Sequence, residues 1–215
     1  MSLTDLQRAS LRGLYAVTPD DPLLPRMSAL VREALAGGVK VVQYRNKVAP
    51  PPLFRAQAAE LLRICRAAGA LLIINDNPEI AADIGADGVH VGREDGGVAR
   101  ARAIVGPDRI IGVSCYGELG IAECAVAEGA DYIAFGAMFA SSVKPGAVAA
   151  PLSVLTEAKA RFNVPVCAIG GIKTGNVETL IDAGADMAAV ITDLFDAPDI
   201  AAQARTYQAL FKVMG

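Results

Sequence analysis

The sequence predicts a single (β/α)8 TIM barrel over residues 1–215, on three observations. Short β-type apolar runs alternate with longer amphipathic helical stretches eight times, with no break in composition. The strand candidates are apolar on both faces, as in a parallel sheet covered by helices. Gly-Ala-Asp recurs before the fourth, sixth and eighth strands, at residues 85–87, 129–131 and 184–186, where each Gly ends a helix and each Asp opens a tight turn. A doubly wound open sheet is the competing architecture. It normally carries a Gly-rich fingerprint after its first strand, and residues 15–20, Tyr-Ala-Val-Thr-Pro-Asp, contain no Gly.

In order, the first strand is expected at residues 14–17, then a loop rich in Asp and Pro, then a helix from 25 to 36 stopped by Gly37-Gly38. The second strand, 41–44, leads through a Pro-rich loop to a helix from about 53 to 68. The third strand, 71–74, ends at Asn75-Asp76, and Pro78 opens a short helix that stops at Gly85. Strand 88–91 and a helix from about 97 to 104 follow, then strand 110–114 and a helix from about 119 to 127. Strand 132–136 precedes a long loop, 137–150, rich in Gly, Ala and Ser, and Pro151 suits the first turn of the next helix. Strand 164–169 closes at Gly170-Gly171, residues 174–183 read as helix, and strand 187–191 precedes a last helix from about 200 to 213.

Bulk composition narrows the function. A chain of 215 residues, 53% of them hydrophobic, fits one barrel-sized domain better than two small ones and argues against disorder. A net charge of −3 with no basic block argues against nucleic acid, and 5% aromatics with no Trp supply no base-stacking platform. Cys65, Cys115, Cys124 and Cys167 form no CxxC pair and read as reduced thiols of a cytoplasmic protein. The mixed-charge start shows no signal peptide, and no apolar run reaches the roughly 20 residues that span a bilayer. The outer helices are apolar enough to suit either a monomer or a homo-oligomer.

A barrel carries its active site at the C-terminal ends of the strands. The densest such end is Val41-Val-Gln-Tyr-Arg-Asn-Lys47. In an extended chain Gln43, Arg45 and Lys47 project to one side. Two fixed cations and an amide call for a partner, and an anion with several oxygens, such as a diphosphate, provides one. Other strand ends add Asn75 and Asp76, then Arg93, Glu94 and Asp95, then Ser114, then Ser141, Ser142 and Lys144, and finally Thr192 and Asp193. Asp76 and Asp95 end adjacent strands and suit an acid–base pair, a Mg2+ site, or charges neutralised by nearby cations. Glu94 competes with Asp95 as a ligand, and Asp76 alternatively caps the helix at Pro78. Gly170-Gly171 and Thr192 occupy the usual phosphate position of the fold, or are plain helix-entry turns. His90, the only histidine, lies mid-strand and reads as a hydrogen-bonded core residue. Cys115 has no local base, so nucleophilic catalysis is not indicated.

The ordered set Leu14-Tyr-Ala-Val-Thr18, Gln43-x-Arg45-x-Lys47, Ile74-Asn75-Asp76, Gly85-Ala-Asp-Gly-Val-His-Val-Gly92, Gly112-Val-Ser114, Gly129-Ala-Asp131, Ala168-Ile-Gly-Gly-Ile172 and Gly184-Ala-Asp186 resembles the thiamine phosphate synthase (thiamine-phosphate pyrophosphorylase) family over nearly the whole chain. The resemblance implies that hydroxymethylpyrimidine diphosphate and thiazole phosphate are joined to thiamine phosphate, with release of diphosphate and with Mg2+ as cofactor. It implies that Gln43, Arg45, Lys47 and Asn75 bind the pyrimidine diphosphate, that Ser114 and Lys144 also meet the diphosphate, and that Asp76 and Asp95 bind the metal. Ser141, Gly171, Ile191 and Thr192 would hold the thiazole substrate. The implied path is dissociative, with Arg45, Lys47, Lys144 and Ser114 serving the departing diphosphate.

The chain departs from the family pattern in places. Where the family usually has Pro-Thr-x-Thr-Lys, it has Ala140-Ser141-Ser142-Val143-Lys144, so Val143 lacks a hydroxyl and one bond to the thiazole ligand is at issue. Arg93 stands where Gln is frequent and Thr192 where Ser is frequent. Two other readings share the barrel. A thiazole tautomerase-like paralogue resembles this chain but would have a histidine soon after the fifth-strand Ser, where Cys115-Tyr116 stand. A non-catalytic barrel that binds a thiamine precursor is the other. The 137–150 loop is expected to be a mobile lid that closes over both substrates.

Overall fold

The recurring Gly-Ala-Asp tripeptide stitches strands together in pairs. In the computed structural model, which describes residues 5–93, 95–140 and 148–213, the Asp87, Asp131 and Asp186 carboxylates accept the N–H groups of Leu72, Ile111 and Val166 at 2.8, 2.8 and 2.9 Å. Their own N–H groups return to the carbonyls of the same three residues at 3.0, 2.8 and 2.8 Å. Each tripeptide therefore opens one strand and satisfies the start of the preceding strand. A buried strand start has no water to supply that bond.

The elements run α1 (Asp5–Ser10), β1 (Gly13–Val17), α2 (Leu24–Ala36), β2 (Val41–Tyr44), α3 (Pro51–Ala67), β3 (Leu71–Asn75), α4 (Pro78–Ile84), β4 (Gly88–Val91) and α5 (Gly97–Val105). They continue with β5 (Ile110–Tyr116), α6 (Leu119–Ala127), β6 (Tyr132–Phe135), α7 (Ser153–Arg161), β7 (Val166–Ile169), α8 (Val177–Asp182), β8 (Met187–Val190), α9 (Thr192–Phe195) and α10 (Ile200–Val213). All strand pairs are parallel, and β8 pairs back to β1 to close the barrel. No described helix is long and apolar enough to cross a membrane.

Where boundaries differ from the sequence reading, local chemistry explains them. The Pro-rich loop before α3 is instead its first turn: Pro51 and Pro52 sit where helical N–H groups have no partner anyway. β7 starts at Val166 rather than 164, since Pro165 has no N–H for the ladder and offers only its carbonyl, to Ile133. α8 starts at Val177 rather than 174. Asn176 Oδ1 accepts the Lys173 N–H at 2.8 Å and holds the preceding residues in a turn. β5 runs two residues past Ser114, with a register shift between Ser114 and Tyr116. The short helices α1 and α9 were not read from the sequence.

Two apolar clusters follow from the alternation of side chains along the strands. The larger lies between strands and helices and includes Val42, Tyr44, Leu61, Ile74, Val89, Ile133 and Leu155. The smaller fills the barrel interior with Tyr15, Val41, Ile73, Ile110, Tyr132, Cys167 and Met187, joined by Leu11 from just after α1. Above this interior plug the strand ends open into a cavity.

Candidate active site

The cavity at the C-terminal strand ends has a volume of about 770 Å3. Its wall includes Gln43, Arg45, Asn75, Ser114, Gly171, Ile191 and Thr192, seven of the residues singled out from sequence. Lys47, Asp76 and Asp95 are not in that wall and stand at strand ends beside it. Ser141 and Lys144, with the whole segment 141–147, lie outside the described residues, as does Glu94.

The alternation read at the end of β2 holds for Gln43 and Arg45, while Lys47 stands outside the cavity wall. Tyr44 and Asn46 turn outward to Gln57 of α3, with the Tyr44 hydroxyl and the Asn46 amide donating to Gln57 Oε1 at 2.6 and 2.9 Å. Gln43 and Arg45 turn to the cavity. Their backbone is pinned to β1 through Thr18, whose Oγ1 donates to the Arg45 carbonyl at 2.8 Å and accepts the Arg45 N–H at 2.9 Å. The cations are not unpartnered. Asp20 Oδ1 lies 3.3 Å from Arg45 Nη1 and accepts the Lys47 N–H at 2.7 Å, while Lys47 Nζ lies 3.5 Å from Asp76 Oδ2. Sequence reading missed Asp20, which had been assigned only to a loop.

Asp76 is not the cap of α4. Asn77 fills that role, its Oδ1 accepting the Ile80 N–H at 2.8 Å. Asp76 itself holds a left-handed backbone, φ 58°, fixed by its N–H donating to the His90 carbonyl at 2.8 Å. Asp95 Oδ2 accepts the Gly92 N–H at 2.6 Å. Burial, reinforced by the adjacent Asp76 carboxylate and opposed by the Gly92 bond and Lys47, pushes the Asp95 carboxyl above its usual range. Two adjacent carboxylates, with the Lys47 ammonium beside them, fit a divalent cation. Among the described residues no group of three or more His, Cys, Asp or Glu is placed to hold a metal. Mg2+ does not need one, because one or two carboxylates with water and substrate phosphate suffice.

On the far side, Gly171 takes φ 63°, and a Cβ there would collide with the Ala140 carbonyl. Asn176 holds this turn by donating to the Gly171 carbonyl at 3.1 Å. Thr192 opens α9 next to it. Asp193, which the sequence had grouped with the mouth, faces away. Its Oδ2 accepts from the Tyr207 hydroxyl at 2.6 Å, Gln203 Nε2 at 2.8 Å and the Thr174 N–H at 3.3 Å, tying the β7 and β8 ends to α10.

His90 is buried and bonded, as expected, but it also reaches the cavity wall. Nδ1 lies 2.8 Å from the Tyr132 hydroxyl and Nε2 lies 2.8 Å from Ser114 Oγ. Burial pushes its pKa down to about 4, so the ring is neutral near pH 7. Burial raises the phenols of Tyr15 and Tyr132 as well, which keeps both protonated. These two tyrosines were passed over because both stood in strands read as apolar. The overlooked signal was the hydroxyl, which needs a partner once buried. At the rim, Arg93 pairs with Glu118 at 2.6 Å and stacks over Tyr116 at 5.0 Å, an arrangement made by the β5 irregularity.

Residues 14–194 match the family described as Thiamine monophosphate synthase. The thiamine-phosphate synthase of Azoarcus sp. (strain BH72) is 52% identical over 201 residues, covering 94% of this chain and 98% of its own. That of Chromobacterium violaceum is also 52% identical over 201 residues, with 94% and 97% covered. Among solved structures, thiamine phosphate pyrophosphorylase from Pyrococcus furiosus superposes with a TM-score of 0.86 at 31% identity, covering 97% of this chain and 98% of that one. A 3-hexulose-6-phosphate synthase, 21% identical with a TM-score of 0.67 and 93% and 99% coverage, shares the barrel alone.

Proposed function

The chain belongs to the thiamine monophosphate synthase family, and from that premise we propose that it is a transferase joining hydroxymethylpyrimidine diphosphate to thiazole phosphate at the barrel mouth. The observation that carries the reading is the gathering, beside one deep cavity, of Arg45 held by Asp20 and of Lys47 held against the Asp76–Asp95 carboxylates. The identity of about half the residues to relatives named for this activity supports it.

In this reading the pyrimidine lies in the cavity near Gln43 and Asn75, with its diphosphate toward Arg45, Lys47 and Ser114. Lys144, outside the described residues, joins them. The thiazole phosphate meets the Gly171 turn, Ile191 and Thr192; Ser141, outside the described residues, is assigned to it by the family resemblance alone. The bond between the pyrimidine CH2 and the diphosphate oxygen breaks, and the diphosphate takes the electron pair. The thiazole nitrogen then donates its lone pair to the CH2 carbon. Arg45, Lys47 and Lys144 stabilise the charge on the leaving group, which is electrostatic catalysis without proton transfer. Asp76 and Asp95 would hold Mg2+, which neutralises diphosphate charge when bound; Mn2+ takes similar oxygen ligands.

The reading also takes the barrel as a single domain in the cytoplasm, acting on small molecules without nucleic acid or membrane. The free thiols of Cys65, Cys115, Cys124 and Cys167 support a reducing compartment. The deciding experiment is diphosphate release from the purified protein with both substrates, with and without Mg2+. Release that requires all three components supports the synthase. No release, with thiazole phosphate still binding, would replace it with a binding barrel or a tautomerase.

A further inference from the structure

One hydrogen-bonded chain crosses the barrel interior beneath the cavity. Gln43 Nε2 lies 2.9 Å from the Tyr15 hydroxyl, which lies 2.8 Å from the Tyr132 hydroxyl. Tyr132 meets His90 Nδ1 at 2.8 Å, and His90 Nε2 meets Ser114 Oγ at 2.8 Å. The three middle residues are buried, though Tyr15 and His90 also border the cavity, and the two ends, Gln43 and Ser114, line it. The register makes this contact. His90 pairs with Gly112, and Gly112 with Tyr132, so the two rings flank a residue without a side chain. They stack at 5.6 Å, in space that a Cβ at Gly112 would take from the Tyr132 ring.

Proton counting restricts this chain to two senses. Each phenol has one proton, and a neutral imidazole has one N–H. A phenol oxygen that accepted from both chain partners would leave its own buried proton unpaired, so each of the two phenols accepts from one and donates to the other. With Gln43 Nε2 donating, Tyr15 donates to Tyr132, Tyr132 donates to His90 Nδ1, and the His90 Nε2–H donates to Ser114. The Ser114 proton is then free for the cavity, as is the Gln43 amide oxygen. In the reverse sense Ser114 donates into the chain, the His90 proton moves to Nδ1, and the Gln43 amide turns over to offer its NH2.

We propose that this chain ties the hydrogen-bonding polarity of Gln43 to that of Ser114. Tyr15, Tyr132 and His90 are then positioning residues that present Ser114 as a donor and Gln43 as an acceptor. The inference rests on the substrate assignment above for its ligand chemistry. Diphosphate oxygens only accept, so they select the sense in which Ser114 donates. That sense offers an amide oxygen to the other end of the same substrate, where a ring amino group donates. A ligand that needs the opposite polarity at one end disturbs the chain at both.

His90 is the only histidine, so labelling histidine with 15N reports a single ring. Long-range proton–nitrogen correlation at neutral pH should show one neutral tautomer with the proton on Nε2, kept when inorganic diphosphate is added. A proton on Nδ1, or an averaged pair of tautomers that diphosphate leaves unchanged, would overturn the proposal. Tyr132→Phe and, separately, Tyr15→Phe break the chain. Either should lose the single tautomer and raise KM for the pyrimidine diphosphate roughly tenfold, with KM for thiazole phosphate unchanged. Equal loss for both substrates, or none, would reduce the chain to a structural feature. The nitrogen signals need no turnover, so an inactive protein defeats the synthase reading while the tautomer still decides the chain's polarity.

Discussion

Lys47 Nζ stands 3.5 Å from Asp76 Oδ2, linking the ends of β2 and β3 at the lip of the cavity. Both side chains are partly exposed, so the pair adds little to stability. In the proposed function its importance is charge balance: it brings the cation assigned to the diphosphate and the carboxylate assigned to the metal within reach of one ligand.

Replacing Asp76 tests the metal assignment. Because Asp76 sits at φ 58°, Asp76→Asn is preferable to alanine, since Asn tolerates this backbone. Diphosphate release should fall by at least roughly 100-fold with an unchanged circular dichroism spectrum. Asp95→Asn should behave alike. Undiminished Mg2+-dependent turnover in either variant would remove that residue from the metal site.

Asp20 acts through its neighbours. It holds the Arg45 guanidinium and the Lys47 backbone N–H with the same oxygen. Asp20→Ala should raise KM for the pyrimidine diphosphate about 3- to 10-fold, the scale of one or two loosened hydrogen bonds. KM for thiazole phosphate serves as the control, and a matching rise there would show a general disturbance of the mouth.

His90 makes acid stability measurable. Its pKa is about 4 when folded against an ordinary 6.5, so the unfolded chain binds the proton more readily between those values. The contribution is complete above about pH 6.5 and is lost as pH falls toward 4, a change on the order of 3 kcal/mol. The raised Asp95 carboxyl acts in the opposite sense. Melting temperature against pH should fall through this window in the wild type and fall less in His90→Gln. Parallel curves would refute the assignment.

Asp131 serves the fold. Its carboxylate accepts the Ile111 N–H and pairs with Arg102 at 2.7 Å. Asp131→Ala should cost about 1–3 kcal/mol by stranding that N–H. Calorimetry should then show a melting point lower by roughly 2–12 °C, at about 2–4 °C per kcal/mol for a chain of this size. Turnover at room temperature should persist, and a loss confined to activity would contradict the structural role.

Much of the mouth was legible because its signal is local. Gln43, Arg45 and Lys47 declare themselves by polar alternation at the end of an apolar strand, and Asp76 by the end of the next. Asp193 misled for the same reason: proximity to a strand end does not say which way a side chain turns, and α10 supplied two donors from behind, with a third from the Thr174 N–H after β7. Boundaries shifted where one residue's chemistry outweighed pattern, as with Pro51, Pro52 and Pro165.

The sequence by itself determined the barrel, the strand order and the polar residues at the strand ends. Apolar periodicity and turn chemistry act between near neighbours and need no closure to be read. The tertiary structure alone decided that Tyr15, Tyr132 and His90 form one chain, across sequence separations of 117 and 42 residues. Those contacts exist only once eight strands close in register and Gly112 leaves its place to a neighbouring ring. Buried hydroxyls then take the nearest partner that satisfies them, and the fold, rather than the order of residues, sets which partner that is.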